Sequence, residues 1–381
     1  MSEAAVELAE LRAATLRVPM PIPARIGAHV IAEREYTVVR ALAPDGRDGW
    51  AYGLTRGAPL TAMVEQLVAP RYAGRSGPPP ALLDGALRAN PTVLCAGTGL
   101  RALSLADMAA WDLAARRAGM PLQRLLGDRG ADPLPALLVV GFPPTMAIEE
   151  VAAEAAAMHA QGWRTFKLAI GPDVATTRAR LEAAAAAGPE VRLVLDAVWT
   201  WRDADDAMRW VDAVADLPFA WIEDPFPPGG AEELARLRAR MPVPLGSGDE
   251  QGGPGFPEML LVAGALDVVR LDATAVGGVS GLLAAAARVA AGGAEVSCHV
   301  HGHLHAQALR GAGLAGWVEF GRPGSGVDPL GDLLVPEVRD GFVPPAALAG
   351  CEPPLDAERL AEVGCAPADV ARALGELGVP V

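Results

Sequence analysis

Seven polar side chains follow apolar runs in the middle and C-terminal parts of the sequence, at successive intervals of 29, 27, 26, 23, 27 and 20 residues. Each interval is about the length of one strand, one helix and their loops. Side chains at the same ends of successive parallel strands meet at one edge of the sheet, where they could form an active site. Any one of them could instead cap a helix or join a surface ion pair, but the regular spacing of all seven disfavours that interpretation. The residues are Lys167, Asp196, Glu223, Asp249, Asp272, His299 and Glu319.

Three of these side chains are carboxylates from consecutive predicted strands, Asp196, Glu223 and Asp249. Charged groups at the ends of buried strands are costly unless they are paired or bind a cation. Ligand sets made only of oxygen suit a hard cation such as Mg²⁺, so we predict one Mg²⁺ per chain, with Mn²⁺ as the alternative. Neighbours on a strand point to opposite sides, so only one of Asp249 and Glu250 should bind the ion. The spacing to Pro254 favours Asp249, and Glu250 is the alternative.

The elements that would position these residues alternate regularly from about residue 135 onwards. Short apolar runs such as RTFKLAI, VRLVLDA and LDVVRLD are followed by helical patterns such as TMAIEEVAAEAAAMHAQG, and this unit is repeated eight times. Such a repeat is typical of a (β/α)₈ barrel. An open, doubly wound sheet is the alternative, but no glycine-rich phosphate loop opens the first helix. The sequence therefore predicts an α/β fold built on a modified, TIM-like (β/α) barrel.

The N-terminal part of the chain has a different pattern. Strand-like runs with a turn signal at Pro44-Asp45-Gly46 come first, and helical patterns follow, the last of which ends at Gly119 and Pro121. We expect three parts. They are an α+β capping domain over residues 1–130, the barrel over 131–345, and a C-terminal segment, 346–381, that packs back on the cap.

The composition of the chain disfavours several classes of binding partner. The chain has 32 basic and 46 acidic side chains and a formal net charge of −14, which disfavours nucleic acid and anionic membranes. The sequence has no uninterrupted run of about 18 apolar residues, so we expect no membrane span. The N-terminus does not have the pattern of a signal peptide. The four cysteines show no paired spacing, which is typical of a reducing compartment. We expect a cytoplasmic, homo-oligomeric protein that acts on a small carboxylate substrate.

The order and spacing of several strings resemble the enolase superfamily, in its mandelate racemase and muconate lactonizing enzyme family, over nearly the whole chain. The resemblance implies metal ligands at Asp196, Glu223 and Asp249. It also implies a reaction in which the metal binds a substrate carboxylate while a base removes the α-proton, giving an enediolate. The strings are ADMAAWDLAARRAGMPLQRLLG, FKLAIG, LDAVW, WIEDPF, SGDEQ, LDATAVGGVSG, SCHVHGH and GWVEF.

One position indicates which subgroup of that family the sequence resembles. Asp272 lies five residues before Gly277-Gly278, where the muconate lactonizing subgroup has a lysine base and the mandelate racemase subgroup has an aspartate paired with a histidine. Asp272 and His299 fit the second pattern, in which the carboxylate orients the imidazole and raises its basicity. Glu319 matches the family's acid on the eighth strand, and it could be protonated and donate a hydrogen bond to the enediolate oxygen. Lys167 could neutralise the charge of the substrate carboxylate.

The family commonly carries Lys-x-Lys on the second strand, but here Ala169 replaces the second lysine, the base on the other substrate face. A racemase needs an acid or base on each face. The favoured function is therefore a lyase, an acid-sugar or hydroxy-acid dehydratase in which His299 is the single base. The alternatives are a racemase or epimerase of a 2-hydroxy or amino acid, and a member that binds metal without catalysis.

Four histidines alternate between residues 299 and 305. On one strand they would share a face and could bind a transition metal, but a strand that ends near His299 would place the others in the loop and the next helix. We therefore treat His301 as a second candidate acid. Residues of the cap could also read an acidic or polyhydroxy substrate. The substrate-binding candidates are Arg25, His29, Arg56 and His301.

Overall fold

The computed structural model describes residues 5–26, 29–128, 133–353 and 355–379. The first part is an α+β unit in which a three-stranded antiparallel sheet, in the order β2-β3-β4, is followed by helices. Its strands are β1 (Val6–Leu8), β2 (Glu10–Ile26), β3 (His29–Leu42), β4 (Asp48–Leu54) and β5 (Arg75–Gly77). Its helices are α1 (Leu60–Met63), α2 (Ala69–Tyr72), α3 (Pro79–Ala89), α4 (Pro91–Leu94), α5 (Gly97–Ala118) and α6 (Leu122–Leu125), with a π-helical turn at Val64–Val68 between α1 and α2.

Eight parallel strands form a closed barrel, because the last of them pairs with the first: Val318 is in register with Ala136. The strands are β6 (Leu134–Val139), β7 (Thr165–Ala169), β8 (Arg192–Asp196), β9 (Phe219–Glu223), β10 (Leu245–Ser247), β11 (Val268–Leu271), β12 (Glu295–Cys298) and β13 (Trp317–Gly321). The helices between them are α7 (Ile148–Ala160), α8 (Val174–Ala185), α9 (Ala204–Val214), α10 (Ala231–Arg238), α11 (Glu258–Val262), α12 (Gly278–Ala291) and α13 (Gly302–Ala312). The prediction of a (β/α) barrel with an α+β cap is confirmed.

Helix α5 joins the cap to the barrel. It runs from Gly97 to Ala118, buries most of its length, and ends where Gly119 takes a left-handed conformation (φ 65°) that lets its N–H bond back to the last turn. Near its end, buried Asp112 accepts a hydrogen bond from the backbone N–H of Trp50 in β4 at 2.9 Å. The same carboxylate accepts from the N–H of Cys351 at 2.7 Å, so one side chain connects the cap with the C-terminal segment.

A 3₁₀ turn (Gly331–Leu334) and the short strand β14 (Phe342–Val343), which pairs antiparallel with β6, follow the last barrel strand. The C-terminal segment contains helices α14 (Ala357–Glu362) and α15 (Pro367–Glu376). Leu360, Val370 and Leu374 are buried in one apolar cluster with Leu16 and Val38 of the cap sheet. The last two helices therefore pack on the cap, and the boundaries expected near 130 and 345 remain proposals. Among the helices of the described residues, none has both the length and the apolar character needed to cross a membrane.

Candidate active site

Strand alternation explains which side chains enter the barrel. Successive residues of a strand point to opposite faces, so Lys167 and Ala169 share one face of β7, and Trp221 and Glu223 share one face of β9. The deepest layer is apolar and includes Leu137, Val194, Trp221 and Val268. Above this layer the inward positions become charged, at the carboxyl ends of the strands where barrel enzymes bind their substrates.

Lys167 lies at the centre of the predicted site. Its Nζ is 3.1 Å from Asp196, 2.6 Å from Glu223, 3.7 Å from Asp249 and 3.1 Å from Glu319. Burial alone would lower the pKa of Lys167, but the surrounding carboxylates outweigh it and raise that pKa well above its usual value. The side chain is 4 % exposed, so this ammonium is a fixed positive charge inside the barrel. The structure thus brings five of the seven predicted residues around one point.

A second buried cation, Arg270 on β11, was missed by the sequence analysis. Its Nε donates to Asp249 at 2.7 Å, its Nη1 to Ser297 at 2.6 Å and its Nη2 to Glu319 at 2.5 Å, and its Nε is 3.2 Å from Glu223. Arg270 is fully buried. The available clue was the strand period of two, because Arg270 precedes Asp272 by two residues and must therefore face the same side.

These contacts leave the barrel interior with an excess of negative charge. Four carboxylates converge on two permanent cations, so the formal sum is two negative charges, which a divalent cation would neutralise. The pair formed by Asp272 and His299 carries its own balancing charge and does not change this sum. The groups counted are Asp196, Glu223, Asp249 and Glu319 against Lys167 and Arg270. Donor chemistry and charge therefore both fit an ion such as Mg²⁺.

The pKa values of the individual carboxyl groups are shifted in different directions. Burial, assisted by Asp249 and Asp196, raises the pKa of Glu223 to about 7 despite the two neighbouring cations. Burial would also raise the pKa of Asp249, but Arg270 and the other cations outweigh it and lower that pKa. A cation held between these carboxylates would favour the ionised form of Glu223.

Asp224, the neighbour of Glu223, also lies at this site. Carboxylate oxygens of Asp196, Glu223 and Asp224 lie within 4.8 Å of one another, which makes Asp224 a further ligand candidate that the sequence analysis did not name. Its Oδ1, however, accepts hydrogen bonds from Ser247 Oγ at 2.7 Å and from the N–H of Gly248 at 3.1 Å. Burial raises the pKa of Asp224 well above its usual value, and its Oδ2 has no hydrogen-bond partner among the described residues.

Glu250, the alternative to Asp249, points towards the cap. Its carboxylate accepts from Arg56 Nε at 3.0 Å and from Arg101 Nη1 at 3.1 Å. Asp249 is instead directed at Arg270 and Lys167 inside the barrel. The two neighbours point to opposite sides, although both lie beyond the end of β10 and Glu250 has a left-handed backbone conformation (φ 57°). Asp249 is the member that faces the other carboxylates.

His299 and Asp272 form a hydrogen-bonded pair beside the carboxylates. His299 Nδ1 is 3.1 Å from Asp272 Oδ2, and its Nε2 is 3.6 Å from Asp249 Oδ2. Burial alone would lower the pKa of His299, but Asp249 and the bond to Asp272 outweigh it and raise the pKa to about 9. Asp272 is fixed in turn by Thr274, whose N–H and hydroxyl both donate to Asp272 Oδ1 at 2.7 Å. The imidazole is therefore oriented with Nε2 towards the centre of the site.

Glu319 differs from the expectation of a protonated acid. Burial would raise its pKa, but Lys167 and Arg270 outweigh burial and lower it. The carboxylate accepts hydrogen bonds from Lys167 Nζ at 3.1 Å and from Arg270 Nη2 at 2.5 Å. Glu319 is thus an ionised acceptor in this structure. Arg270, which supplies one of these cations, was not among the residues predicted from the sequence.

The four substrate-binding candidates lie in different environments. Arg56 reaches the barrel through its ion pair with Glu250. Arg25 is exposed on β2, and the side chain of His29 lies outside what the structure describes. His301 is 4 % exposed and its ring packs 4.5 Å from that of Tyr52, measured between centroids. The geometry therefore ties Arg56 to the site, while His301 belongs to the interface with the cap.

A capped, closed barrel with carboxylates from consecutive strands at its mouth is the architecture of the enolase superfamily. Residues 10–127 match the family described as "Mandelate racemase / muconate lactonizing enzyme, N-terminal domain", and residues 150–351 match "Enolase C-terminal domain-like". The chain belongs to the mandelate racemase and muconate lactonizing enzyme family.

Similar proteins cover most of the chain. D-galactarolactone cycloisomerase of Agrobacterium fabrum is 29% identical over 286 residues, which are 72% of this chain and 71% of that protein. L-talarate/galactarate dehydratase of Salmonella typhimurium is 30% identical over 235 residues, 61% of this chain and 58% of that enzyme. A crystal structure of an enolase from alpha proteobacterium bal199 with bound Mg superposes with a TM-score of 0.83, at 28% identity, over 95% of this chain and 100% of that one.

Proposed function

We propose that this protein is a Mg²⁺-dependent enzyme that removes the α-proton of a small carboxylate substrate, and that it is an acid-sugar or hydroxy-acid dehydratase. The observation that carries the proposal is the His299–Asp272 pair, with Nδ1 bonded to the carboxylate at 3.1 Å and Nε2 facing the cluster of carboxylates. In its neutral form, this imidazole would keep its proton on Nδ1, towards Asp272, and present Nε2 as the base. The dehydratase of Salmonella typhimurium supports the proposed class of reaction.

We assign the metal ligands to Asp196, Glu223 and Asp249. Asp249 is preferred over Glu250 because Glu250 is occupied by two arginines on the side of the cap. When bound, Mg²⁺ would polarise the substrate carboxylate and offset the charge of the ligands, which also lowers the pKa of the adjacent imidazole. The excess of two negative charges in the barrel supports a divalent ion at this place.

The remaining steps use side chains of the chain itself. His299 Nε2 takes the α-proton while Asp272 holds the ring and stabilises the imidazolium. The bond between the β-carbon and its hydroxyl then breaks, and the imidazolium returns the proton to the departing hydroxide, which leaves as water. Lys167 and Arg270 stay protonated throughout and stabilise negative charge on the substrate carboxylate and on Glu319.

A racemase or epimerase is the second candidate, and the cycloisomerase of Agrobacterium fabrum shows that isomerases also occur among the relatives. Ala169 counts against a two-base reaction, because it lies on the same face of β7 as Lys167 and cannot transfer a proton. A metal-binding protein without catalysis is the third candidate. The intact His299–Asp272 pair counts against it.

The test is a screen of the Mg²⁺-loaded protein against acid sugars and hydroxy acids in deuterated water, followed by NMR. We expect loss of water from one substrate class, and a loss of rate of about 10²- to 10⁴-fold in His299→Asn. His159→Asn is the matched control, because that imidazole pairs with Glu190 at 2.6 Å on the surface. Near wild-type turnover in His299→Asn would contradict the mechanism, and a complete absence of both dehydration and deuterium exchange would favour the non-catalytic alternative.

We also propose a cytoplasmic, homo-oligomeric protein. The four cysteines are free thiols and three of them are buried, which suits a reducing compartment. Size-exclusion chromatography with light scattering tests the oligomeric state, and a mass equal to one chain would contradict it.

A further inference from the structure

We propose that His301, His303 and Glu352 bind a transition metal ion such as Zn²⁺, in a second site beside the interface between barrel, cap and C-terminal segment. His301 immediately precedes α13, His303 lies in its first turn, and Glu352 comes from the C-terminal segment. One ligand atom from each residue lies within 4.8 Å of the other two. His303 Nε2 and Glu352 Oε2 are 3.0 Å apart.

All three side chains are buried, and two of them have polar atoms without a partner. The exposed fractions are 4 % for His301, 8 % for His303 and 4 % for Glu352. His301 Nδ1 and Glu352 Oε1 are buried and accept or donate no hydrogen bond among the described residues. A buried polar atom without a hydrogen-bond partner destabilises the folded state. A cation bound between these side chains would give both atoms a partner, which supports the proposed site.

The protonation states agree with this geometry. Burial lowers the pKa of His303 to about 4, so its imidazole is neutral and has a lone pair for a metal. Burial raises the pKa of Glu352 well above its usual value, so this carboxyl group needs a nearby positive charge in order to ionise. A bound cation would supply that charge, since metal ligation favours neutral imidazole and ionised carboxylate.

The neighbouring His305 is not part of the proposed site, because both of its ring nitrogens already have hydrogen-bond partners. His305 Nδ1 donates to the carbonyl of Val300 at 2.7 Å, and His305 Nε2 accepts from the N–H of Ala273 at 3.1 Å. The histidine-rich stretch therefore divides into His299 in the active site, His305 in a structural role, and His301 with His303 left for the second site.

The ligand set selects a class of metal. Two imidazoles and one carboxylate suit Zn²⁺ and similar transition metals, which commonly take three protein ligands and one water. Mg²⁺ prefers oxygen ligands, so it should favour the carboxylates of the barrel. The two sites therefore differ in chemistry as well as in position.

The surroundings hold Glu352 in place and give the ion a route in. Asp112 accepts a hydrogen bond from the N–H of Glu352 at 3.0 Å, and Arg116 Nη2 donates to the carbonyl of Glu352 at 2.5 Å. His303 and Glu352 also line a cavity of about 470 Å³ between α13 and the C-terminal segment. Such a cavity has room for the water that would complete the coordination sphere. The ion would link α13, which follows the base His299, to the C-terminal segment.

The test is a count of bound zinc. The full-length protein is stripped with a chelator, reloaded with Zn²⁺, freed of unbound ions and analysed by mass spectrometry of the metal. Zinc can also occupy the barrel carboxylates, so we expect two ions per chain in the wild type. We expect one in His303→Ala and one in Glu352→Gln. Asp196→Asn should keep one ion, at the second site, and the double variant Asp196→Asn/Glu352→Gln should bind none. His159→Ala is the matched control and should bind two.

A second readout, the visible absorption of Co²⁺, separates the two sites by the chemistry of their ligands. Co²⁺ bound by imidazoles in a four-coordinate site absorbs visible light much more strongly than Co²⁺ among oxygen ligands. We expect this absorption in the wild type and in Asp196→Asn, and its loss in Glu352→Gln, which preserves side-chain shape. Equal zinc content in the wild type and Glu352→Gln, or wild-type protein without the strong Co²⁺ absorption, would overturn the second site. Neither result would affect the barrel site, whose failure would appear as unchanged metal content in Asp196→Asn.

Discussion

The guanidinium of Arg270 donates from Nε to Oδ1 of Asp249 at 2.7 Å, with both side chains buried inside the barrel. The same guanidinium bonds Ser297 and Glu319, so it fixes the orientation of several neighbours at once. Since a planar guanidinium holds carboxylates at defined angles, Arg270 sets which oxygen of Asp249 is left to face the centre of the site. It is a positioning residue for the proposed metal site.

Removal of that cation should destabilise the protein. We expect Arg270→Met to lower the free energy of unfolding by about 3 to 5 kcal/mol, because it leaves buried carboxylates without a partner. Added Mg²⁺ should restore more stability to the variant than it adds to the wild type, since the variant carries the larger excess of negative charge. Urea denaturation with and without Mg²⁺ measures both effects. Arg88→Met, at an exposed pair with Asp84, is the control, and an equally small effect in both variants would contradict the role of Arg270.

The ligand assignment makes a separate prediction about Mg²⁺ affinity. Asp196→Asn and Glu223→Gln should each weaken Mg²⁺ binding strongly and leave the fold intact, because each removes one of three ligand charges. Asp224→Asn should weaken it much less, since Asp224 Oδ1 is engaged by Ser247 and by the N–H of Gly248. Calorimetric titration of the three variants and of Asp249→Asn provides the comparison. A larger loss in Asp224→Asn than in Asp249→Asn would replace Asp249 by Asp224 in the ligand set.

A pH-dependent contribution to stability comes from Asp107 in α5. This carboxyl group is fully buried and accepts hydrogen bonds from the N–H and the hydroxyl of Ser280 at 2.9 and 2.7 Å. Burial, opposed by these bonds, raises its pKa to about 7. The folded protein therefore keeps the proton over a pH range in which the unfolded chain, with a pKa near 3.9, has lost it. The contribution of Asp107 to stability is complete below about pH 4, falls as the pH rises to about 7, and is constant above that value.

Asp107→Asn should abolish this dependence, because asparagine preserves the shape of the side chain and cannot ionise. Relative to the wild type, the variant should gain stability between pH 4 and 7 by up to about 4 kcal/mol, and the difference should then level off. Urea denaturation at several pH values measures the difference between the two proteins. Asp84→Asn, at an exposed site, should show no such trend, and a pH-independent difference for Asp107→Asn would show that the carboxyl group ionises normally.

The sequence carried enough information to predict the barrel and the convergence of several charged side chains inside it. Charged residues that end apolar strands at unit spacing are visible without a structure, and so Asp196, Glu223, Asp249 and His299 were predicted to converge. Arg270 lies inside an apolar strand, where a charge is normally a sign of an exposed face. Only its position two residues before Asp272 shows that it points inwards. Arg270 also lowers the pKa of Glu319, an effect that could not be predicted without it.

Glu352 illustrates what sequence patterns cannot supply. It lies in a stretch with no regular periodicity, and 49 residues separate it from His303, its partner at 3.0 Å. Its position depends on Asp112, which is on another helix and binds the backbone of the C-terminal segment. Contacts of this kind follow from tertiary packing between distant segments, so the alternating histidines alone could not reveal their carboxylate partner.

The stereochemistry of the proposed proton transfer depends on Ala169. This residue shares the inward face of β7 with Lys167 and is in register with Asp196 on β8. His299 follows β12, on a different wall of the barrel. A substrate held between these walls presents one face to the imidazole and the other to a methyl group. The α-proton should therefore exchange in one configuration only.

Both enantiomers of an analogue that cannot lose water can be incubated with the protein in deuterated water and followed by NMR. We expect deuterium in one enantiomer, with retention of configuration, and no measurable racemisation. Ala169→Lys should introduce a second proton donor on the opposite face, and we expect it to gain slow racemisation. Ala169→Met, similar in length but without an ionisable group, is the control and should not. Rapid interconversion of both enantiomers by the wild type would require a second base on the face of Ala169, and it would make an isomerase rather than a dehydratase the function of this site.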